Sequence, residues 1–158
     1  MIHQLAVVDK RAKIGNQVIV EPFTTIAGDV EIGSGTWIGP NVTIMDGARI
    51  GKNCKIFPGT VIAAVPQDLK FEGEDSQVII GDNTVIRECV TINRGTKALG
   101  YTKVGNDCLI MATSHIAHDC TIGDHVVIVN GCGIAGHVEI GDFAVIGGLS
   151  AVHQFSRI

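Results

Sequence analysis

Residues 20–62 decide the fold, and they read VEPFTTIAGDVEIGSGTWIGPNVTIMDGARIGKNCKIFPGTVI. Every sixth residue of this stretch, from Val20 to Ile62, is Ile or Val. Extended from Val8 to Ile158, the same register holds at 23 of 26 positions, with interruptions at positions 68, 74 and 98. A six-residue repeat of this length predicts a stacked repeat architecture, and it argues against the 3.6-residue period of a helix.

The residue two places before each Ile or Val is small in most repeats, as at Cys54, Thr60 and Cys120. Residues two apart in an extended strand share a face, so we expect both side chains to point inward. Gly often follows the register residue, and Asn, Asp, Pro or Ser often come next, which is typical of turns. Each repeat is therefore predicted to form one short strand and one corner.

Three prolines indicate how many strands make one coil. Pro22, Pro40 and Pro58 occupy the same place in the repeat and are spaced by three repeats. A coil of three strands is a triangular prism, in which parallel strands of successive coils stack about 4.8 Å apart. The sequence thus predicts an all-β, single-domain parallel β-helix over residues 1–158.

Composition excludes several classes of function. The chain has 12 basic and 16 acidic residues, so nothing points to nucleic acid or an anionic membrane. No run of 18 apolar residues predicts a membrane span, and the N-terminus lacks a signal-peptide pattern, so we expect a cytoplasmic location. Four of the five cysteines fall in the small inward column and are expected to be reduced; Cys89 lies outside it.

Two polar segments interrupt the register, residues 63–79 and 95–103, and we expect both to protrude as loops from corners. Loops on a rigid scaffold often carry function, although either segment is also compatible with a tolerated insertion. The first contains a compact polar set, Gln67, Asp68 and Lys70. The chain stops on a register residue without a polar cap, which led to the expectation of a covering partner or a longer parent protein.

The histidines are the most informative polar residues. His118 follows an inward Ile by two places, so it is expected to point outward from a corner, with Gly136 and Gln154 above it at steps of 18. His137 and His153 adjoin this column. A three-histidine group could bind a metal, but its spacing differs from that of hexapeptide-repeat carbonic anhydrases, and no metal is expected. The other chemistry is general-base catalysis of acyl transfer, with the Gly136 N–H as an oxyanion donor.

Several motifs resemble the acyl carrier protein–UDP-N-acetylglucosamine O-acyltransferase family of lipid A biosynthesis. They are His115-Ile116-Ala117-His118-Asp119-Cys120, Gln67-Asp68-Leu69-Lys70, the segment 86–96, Ala135-Gly136-His137-Val138 and the segment 146–155 with its Ala-Val-His-Gln-Phe ending. The resemblance implies a left-handed helix, a homotrimer, and transfer of an (R)-3-hydroxyacyl group from acyl carrier protein to the 3-hydroxyl of UDP-N-acetylglucosamine. No cofactor is implied, since the phosphopantetheine arm arrives on the acyl carrier protein.

The resemblance also implies roles for individual residues. His118 would be the general base, Asp119 would orient it, and the N–H of Gly136 would form the oxyanion hole. The implied substrate-binding residues are Gln67, Asp68, Lys70, His115, His137 and Gln154, with His153 a weaker candidate.

The chain departs from the family pattern in places. Asn93 stands where His is expected and Cys89 where Ser is usual. The C-terminal coils and helical domain of the family are absent after Ile158, so the chain is interpreted as a truncated form whose activity is open. The alternatives are a related N-acyltransferase, an acetyl-CoA-dependent enzyme, or an inactive solenoid scaffold. Acyl chain length, and a 3-amino analogue as acceptor, are not fixed by these motifs.

Overall fold

The computed structural model describes all residues 1–158 and contains only strands, turns and bends, with no helix. Successive strands visit three parallel sheets in rotation, which confirms the predicted three-strand coil. The first sheet holds β1 Val7–Val8, β4 Thr25–Ile26, β7 Thr43–Ile44, β10 Val61–Ala64, β13 Thr91–Asn93, β16 His115–Ile116, β19 Gly133–Ile134 and β22 Ala151–Val152. The second holds β2 Lys13–Ile14, β5 Glu31–Ile32, β8 Ala48–Ile50, β11 Gln77–Ile80, β14 Tyr101–Val104, β17 Thr121–Ile122 and β20 Glu139–Ile140. The third holds β3 Ile19–Val20, β6 Trp37–Ile38, β9 Lys55–Ile56, β12 Val85–Ile86, β15 Leu109–Ile110, β18 Val127–Ile128 and β21 Val145–Ile146.

Strand pairing follows the hexapeptide register. In a regular coil each residue pairs with the residue 18 places on, as Ile26 does with Ile44. The separation rises to 30 residues across the first interruption, where Ile62 pairs with Ile92. Across the second it is 24, as in the pairing of Ile92 with Ile116. The interruptions therefore leave the stacking of the walls intact.

The core is the inside of the prism. It contains 33 buried apolar residues, and the Ile and Val of the register supply most of its volume. Complete burial of one such side chain stabilises the fold by about 1.5–3 kcal/mol. Cys54, Cys108, Cys120 and Cys132 are all free and buried in the small inward column, while Cys89 is exposed. Burial raises the pKa of the Cys120 thiol to about 11, so this thiol stays protonated.

The three edges of the prism differ in chemistry. The proline edge, between the third and first sheets, includes Pro22, Pro40 and Pro58. The carboxylate edge, between the second and third sheets, includes Asp82, Asp124 and Asp142. The histidine edge, between the first and second sheets, is the set of corner segments 9–12, 27–30, 45–47, 65–76, 94–100, 117–120, 135–138 and 153–156.

Both irregular loops lie on the histidine edge, at successive coils. They are shorter than predicted: the first loop spans residues 65–76 and the second loop residues 94–100. The predicted bounds were wrong because β10, β11 and β14 extend into the predicted loop segments. In β11 and β14, strand pairing begins early, with Gln77 opposite Tyr101. In this structure there is no helix long and apolar enough to span a bilayer.

Candidate active site

His118 lies in the turn that follows β16, on the histidine edge and outside the prism core. The predicted corner position outside the prism is confirmed, but the side chain is not open to solvent, since His118 is only 5% exposed. Its ring lies between the first loop, the neighbouring Asp119 and the next coil at Gly136 and His137. The first loop does not follow the repeat, so the repeat pattern alone did not reveal the burial.

His118 and Asp119 form a hydrogen-bonded pair. The His118 Nδ1 and the Asp119 Oδ2 are 2.7 Å apart, and the Asp119 side chain is fully shielded from solvent. Asp119 has a left-handed backbone conformation, with φ of 59°, which turns its carboxylate back along the corner. Because an ionised carboxylate only accepts hydrogen bonds, a neutral His118 ring would carry its proton on Nδ1 and leave the lone pair of Nε2 free.

The second loop holds the Asp119 carboxylate. The backbone N–H groups of Thr96 and Leu99 donate to Oδ1 at 3.0 and 3.1 Å, and the Thr96 hydroxyl donates to Oδ2 at 2.7 Å. Burial acts to raise the pKa of Asp119, but the hydrogen bonds from Thr96 and His118 outweigh it and hold that pKa below its ordinary value. Asp119 is therefore charged at neutral pH.

Thr96 and Leu99 were missed in the sequence analysis. Their contacts with Asp119 span 23 and 20 residues and depend on how the second loop folds back over the corner. The sequence carried two signals: the loop interrupts the repeat one coil before His118, and Thr96 ends the motif segment 86–96. Its polar Thr was not singled out there.

Gly136 lies directly above His118, as the 18-residue step predicted. A Cβ at this position would stand 2.7 Å from His118 Cε1 and 2.8 Å from Nε2, so only Gly leaves the ring in place. The main-chain N–H of Gly136 has no hydrogen-bond acceptor within the chain. A free N–H beside an imidazole Nε2 provides a donor for an oxygen atom that would bear negative charge.

His137 also joins the site. Its ring meets that of His118 edge to face, with centroids 5.0 Å apart, and its Nε2 lies 4.0 Å from Asp119 Oδ2. Phe155 stacks on the other side of His137 at 4.7 Å. These residues border a groove of about 470 Å³, whose walls include Leu99, Asp119, His137, Phe155 and Arg157.

His115 stands one strand away and is half-buried. Its Nδ1 lies 2.7 Å from the Thr91 hydroxyl on the neighbouring strand. Burial, followed by the charge of His118, lowers the pKa of His115. This histidine is therefore biased towards its neutral form.

The first loop brings one of its three predicted residues to the dyad. Asp68 Oδ2 lies 3.9 Å from His118 Nε2, and Asp68 Oδ1 accepts the N–H of Lys70 at 3.0 Å. The side chains of Gln67 and Lys70 are exposed on the same loop. Asn93, buried at the end of β13, donates to the Val65 carbonyl at 2.6 Å and anchors the loop.

The top of the column is more open. The stacking of 118, 136 and 154 is confirmed, since His137 N–H donates to the His118 carbonyl and Phe155 N–H to the Gly136 carbonyl. Gln154 and His153 are both exposed, and the His153 ring turns towards the Gln154 carbonyl, 3.2 Å from it. The structure brings His118, Asp119, Gly136, His137 and Asp68 together and leaves Gln154 and His153 at the rim.

Three residues of the same cluster carry atoms that are potential metal ligands. His118, Asp119 and His137 each place a potential ligand atom within 4.8 Å of the others. Two imidazoles and a carboxylate are ligands that Zn²⁺ accepts. The Asp119 oxygens, however, already accept hydrogen bonds from His118 and the second loop. This arrangement is better suited to holding a proton on a histidine.

Comparison with known proteins agrees with the fold and the motifs. The chain matches the family described as bacterial transferase hexapeptide (six repeats) over residues 29–64 and 101–136. The prism is thus a left-handed parallel β-helix of hexapeptide repeats, and the chain is similar to the hexapeptide-repeat transferases.

More specific relatives define the family. The chain is 54% identical, over 99% of its length, to the acyl-(acyl-carrier-protein)–UDP-N-acetylglucosamine O-acyltransferase of Campylobacter curvus. The crystal structure of the Francisella novicida UDP-N-acetylglucosamine acyltransferase superposes with a TM-score of 0.98 at 49% identity, covering 99% of this chain and 58% of that one. The Bacteroides fragilis UDP-N-acetylglucosamine acyltransferase superposes with a TM-score of 0.77 at 40% identity, covering 96% and 69%.

The chain belongs to the UDP-N-acetylglucosamine O-acyltransferase family. It spans 61% of the length of the Campylobacter curvus relative.

Proposed function

We propose that this chain carries the acyl-transfer centre of such an enzyme. The reaction moves an (R)-3-hydroxyacyl group from acyl carrier protein to the 3-hydroxyl of UDP-N-acetylglucosamine, the first step of lipid A biosynthesis, in the cytoplasm. The observation that carries the proposal is the buried His118–Asp119 pair, with Nδ1 to Oδ2 at 2.7 Å, beside the free N–H of Gly136. A proton acceptor and an oxyanion donor are the two groups that acyl transfer requires.

His118 acts as the general base at Nε2. As the sugar oxygen attacks the thioester carbonyl, the C–O bond forms and Nε2 takes the hydroxyl proton. Asp119 stabilises the resulting imidazolium through Nδ1–H. When the C–S bond breaks, the proton passes from Nε2 to the departing sulfur of the pantetheine arm. A positioned general base of this kind contributes about 10²–10⁴-fold to the rate.

Gly136 stabilises the tetrahedral intermediate. The Gly136 N–H donates to the thioester oxygen as negative charge develops there. This N–H has no acceptor inside the protein. Removal of a single oxyanion donor costs about 10²–10³-fold in kcat in other acyl-transfer enzymes.

The remaining site residues bind the substrates in this proposal. Asp68, Gln67 and Lys70 approach from the first loop. His137 lines the groove, and His115 and Gln154 are assigned to substrate binding from the same edge. The proposed steps use only groups of this chain and the two substrates, so we assign no dissociable cofactor.

We propose that the chain assembles as a homotrimer through the first and third sheets. The outward row of the second sheet is largely charged, with Lys13, Glu31, Arg49, Lys103 and Glu139. The outward rows of the other two sheets are mostly uncharged, with Thr25, Thr43 and Thr91 on the first and Ile19, Trp37, Val85, Leu109, Val127 and Val145 on the third. Burial of uncharged faces leaves the charged face in water and brings the histidine edge to a subunit boundary.

The test compares three proteins in one assay of acyl transfer from (R)-3-hydroxyacyl carrier protein to UDP-N-acetylglucosamine. We expect His118→Gln to lower kcat by about 10²–10⁴-fold, because Gln keeps a polar side chain but cannot accept the proton. His125→Gln is the matched control, since His125 is an exposed histidine on the carboxylate edge. Equal activity of His118→Gln and the unaltered chain would contradict the proposed base.

A further inference from the structure

We propose that Thr96 is a positioning residue, whose hydroxyl group limits the strength of the hydrogen bond between Asp119 and His118. The proposal rests on the function proposed above and adds a residue of the second loop to its machinery. The geometry behind it is the sharing of one carboxylate oxygen by two donors.

The two oxygens of Asp119 are held differently. Oδ1 accepts only from backbone, through the N–H groups of Thr96 and Leu99. Oδ2 accepts from two side chains, the Thr96 hydroxyl and the His118 ring, each at 2.7 Å. The backbone contacts fix where the carboxylate stands, and the hydroxyl acts on the oxygen that faces the base.

The direction of the Thr96 hydroxyl proton follows from its other partner. The N–H of Ala98 donates to Thr96 Oγ1 at 3.2 Å, so that oxygen is already an acceptor. Its proton is left to point at Asp119 Oδ2. Thr96 is 6% exposed, and water therefore has little access to replace it.

Two donors on one oxygen compete. Each hydrogen bond draws negative charge away from the other, so the Thr96 hydroxyl weakens the attraction between Asp119 and a protonated His118. Removal of the hydroxyl should strengthen the His118–Asp119 hydrogen bond and favour the protonated ring. The base would then become inactive at a higher pH, since only neutral His118 accepts a proton.

Besides Asp119, three other titratable groups lie around His118. They are Asp68 from the first loop, His137 from the coil above and His115 from the adjacent strand. None of them is hydrogen-bonded to Thr96, whose partners are Asp119 and Ala98, so removal of the hydroxyl breaks no hydrogen bond that they make. The effect of Thr96 is thereby separable from theirs.

The experiment uses Thr96→Val, which keeps the branched shape and removes the hydroxyl, and Thr96→Ser, which restores it. Thr84→Val is the matched control, because Thr84 is also fully buried and bonded through its hydroxyl, to Gly105 at the carboxylate edge. Two properties are measured: the pH profile of kcat/KM, and the position of the low-field Nδ1–H proton resonance of His118.

For Thr96→Val we expect the acid limb of the kcat/KM profile to move to higher pH by roughly half a unit, which is about a threefold loss on that limb. We expect the Nδ1–H resonance to move downfield. Thr96→Ser should restore both values, and Thr84→Val should change neither. A loss of activity that is equal at every pH, with an unmoved resonance, would assign Thr96 a purely structural role and overturn the proposal.

The resonance separates this proposal from the proposed function. It reports the His118–Asp119 hydrogen bond even in a protein that shows no acyl transfer. An inactive chain whose resonance moves in Thr96→Val refutes the acyl transfer and retains the positioning role. An active chain whose resonance and pH profile both stay fixed refutes the positioning role alone.

Discussion

The histidine edge and the carboxylate edge of the prism are built from the same backbone and use it differently. Turns on both edges use a residue with left-handed φ, such as Asp119 at 59° on the histidine edge and His125 at 55° on the carboxylate edge. On the carboxylate edge, the corner side chains accept hydrogen bonds from the backbone of the preceding coil. The N–H groups of Lys52, Asp82, Asn106 and Asp124 each donate to an Oδ1 of the next coil at 2.7 Å, with Asp142 at the top.

The histidine edge leaves the same kind of position open. Gly136 holds the same place in its repeat as Asp82 and Asp124 do in theirs, but its N–H has no acceptor in the chain. The Asp119 carboxylate is turned instead towards the second loop and His118. One edge thus satisfies these donors internally and supports the stack, whereas the other leaves the Gly136 N–H free beside His118. The repeat therefore supplies the frame, while contacts outside the repeat hold the His118–Asp119 pair.

The addition of a methyl group at Gly136 tests whether the open position on the histidine edge is needed for acyl transfer. We expect Gly136→Ala to lower the acyl-transfer kcat by about a hundredfold, because the Cβ would displace the His118 ring from its position. Gly147→Ala is the control, since the nearest atom to its Cβ would be Ser150 Oγ at 3.9 Å. Comparable activity in both variants would show that the close approach at Gly136 has no role.

A pair of corner carboxylates tests the division between support and chemistry. Asp124→Ala removes the acceptor for Asn106 N–H on the carboxylate edge. We expect it to lower the free energy of unfolding by about 1 kcal/mol, measured by urea denaturation, with acyl transfer retained. Asp119→Ala should instead abolish acyl transfer, because His118 loses its partner. If Asp124→Ala proved the more damaging to turnover, the assignment of the two edges would be reversed.

His115 should make the stability of the fold depend weakly on pH. Burial lowers the pKa of His115 in the folded chain, so the unfolded chain binds its proton more readily. The neutral ring therefore contributes its full stability above about pH 6.5, the ordinary value. That contribution falls as the pH drops from there towards the lowered folded pKa. His115→Gln should show a flatter dependence of Tm on pH through this window, and an unchanged slope would contradict the assigned burial effect.

Much of the fold could be predicted from the sequence because its determinants are local. The six-residue spacing of Ile and Val fixes which face is inside, and the 18-residue spacing of Pro22, Pro40 and Pro58 fixes three strands per coil. The structure confirms both through pairings such as Ile26 with Ile44. The loop bounds were less predictable, since β11 and β14 add ladder bonds between residues that do not follow the hexad.

The site was predictable in position and only partly in environment. The step of 18 placed Gly136 over His118 correctly. Three features depend on how loops and side chains pack around the corner. They are the burial of His118, the hydrogen bond from Thr96 to Asp119, and the stacking of Phe155 on His137. His153 shows the reverse error, since adjacency in the column did not bring its ring to the dyad. Repeat geometry locates backbones, whereas side-chain contacts arise from packing that the period does not encode.

The first loop bears on the entropy of folding. It lengthens the chain between paired strands from 18 residues, as at Ile26 and Ile44, to 30, as at Ile62 and Ile92. Because loop-closure entropy grows only with the logarithm of length, the longer connection costs about 0.5 kcal/mol more than a regular one. A stack that grows coil by coil can therefore carry Asp68 on a long, irregular segment with almost no loss in the free energy of closing the next coil.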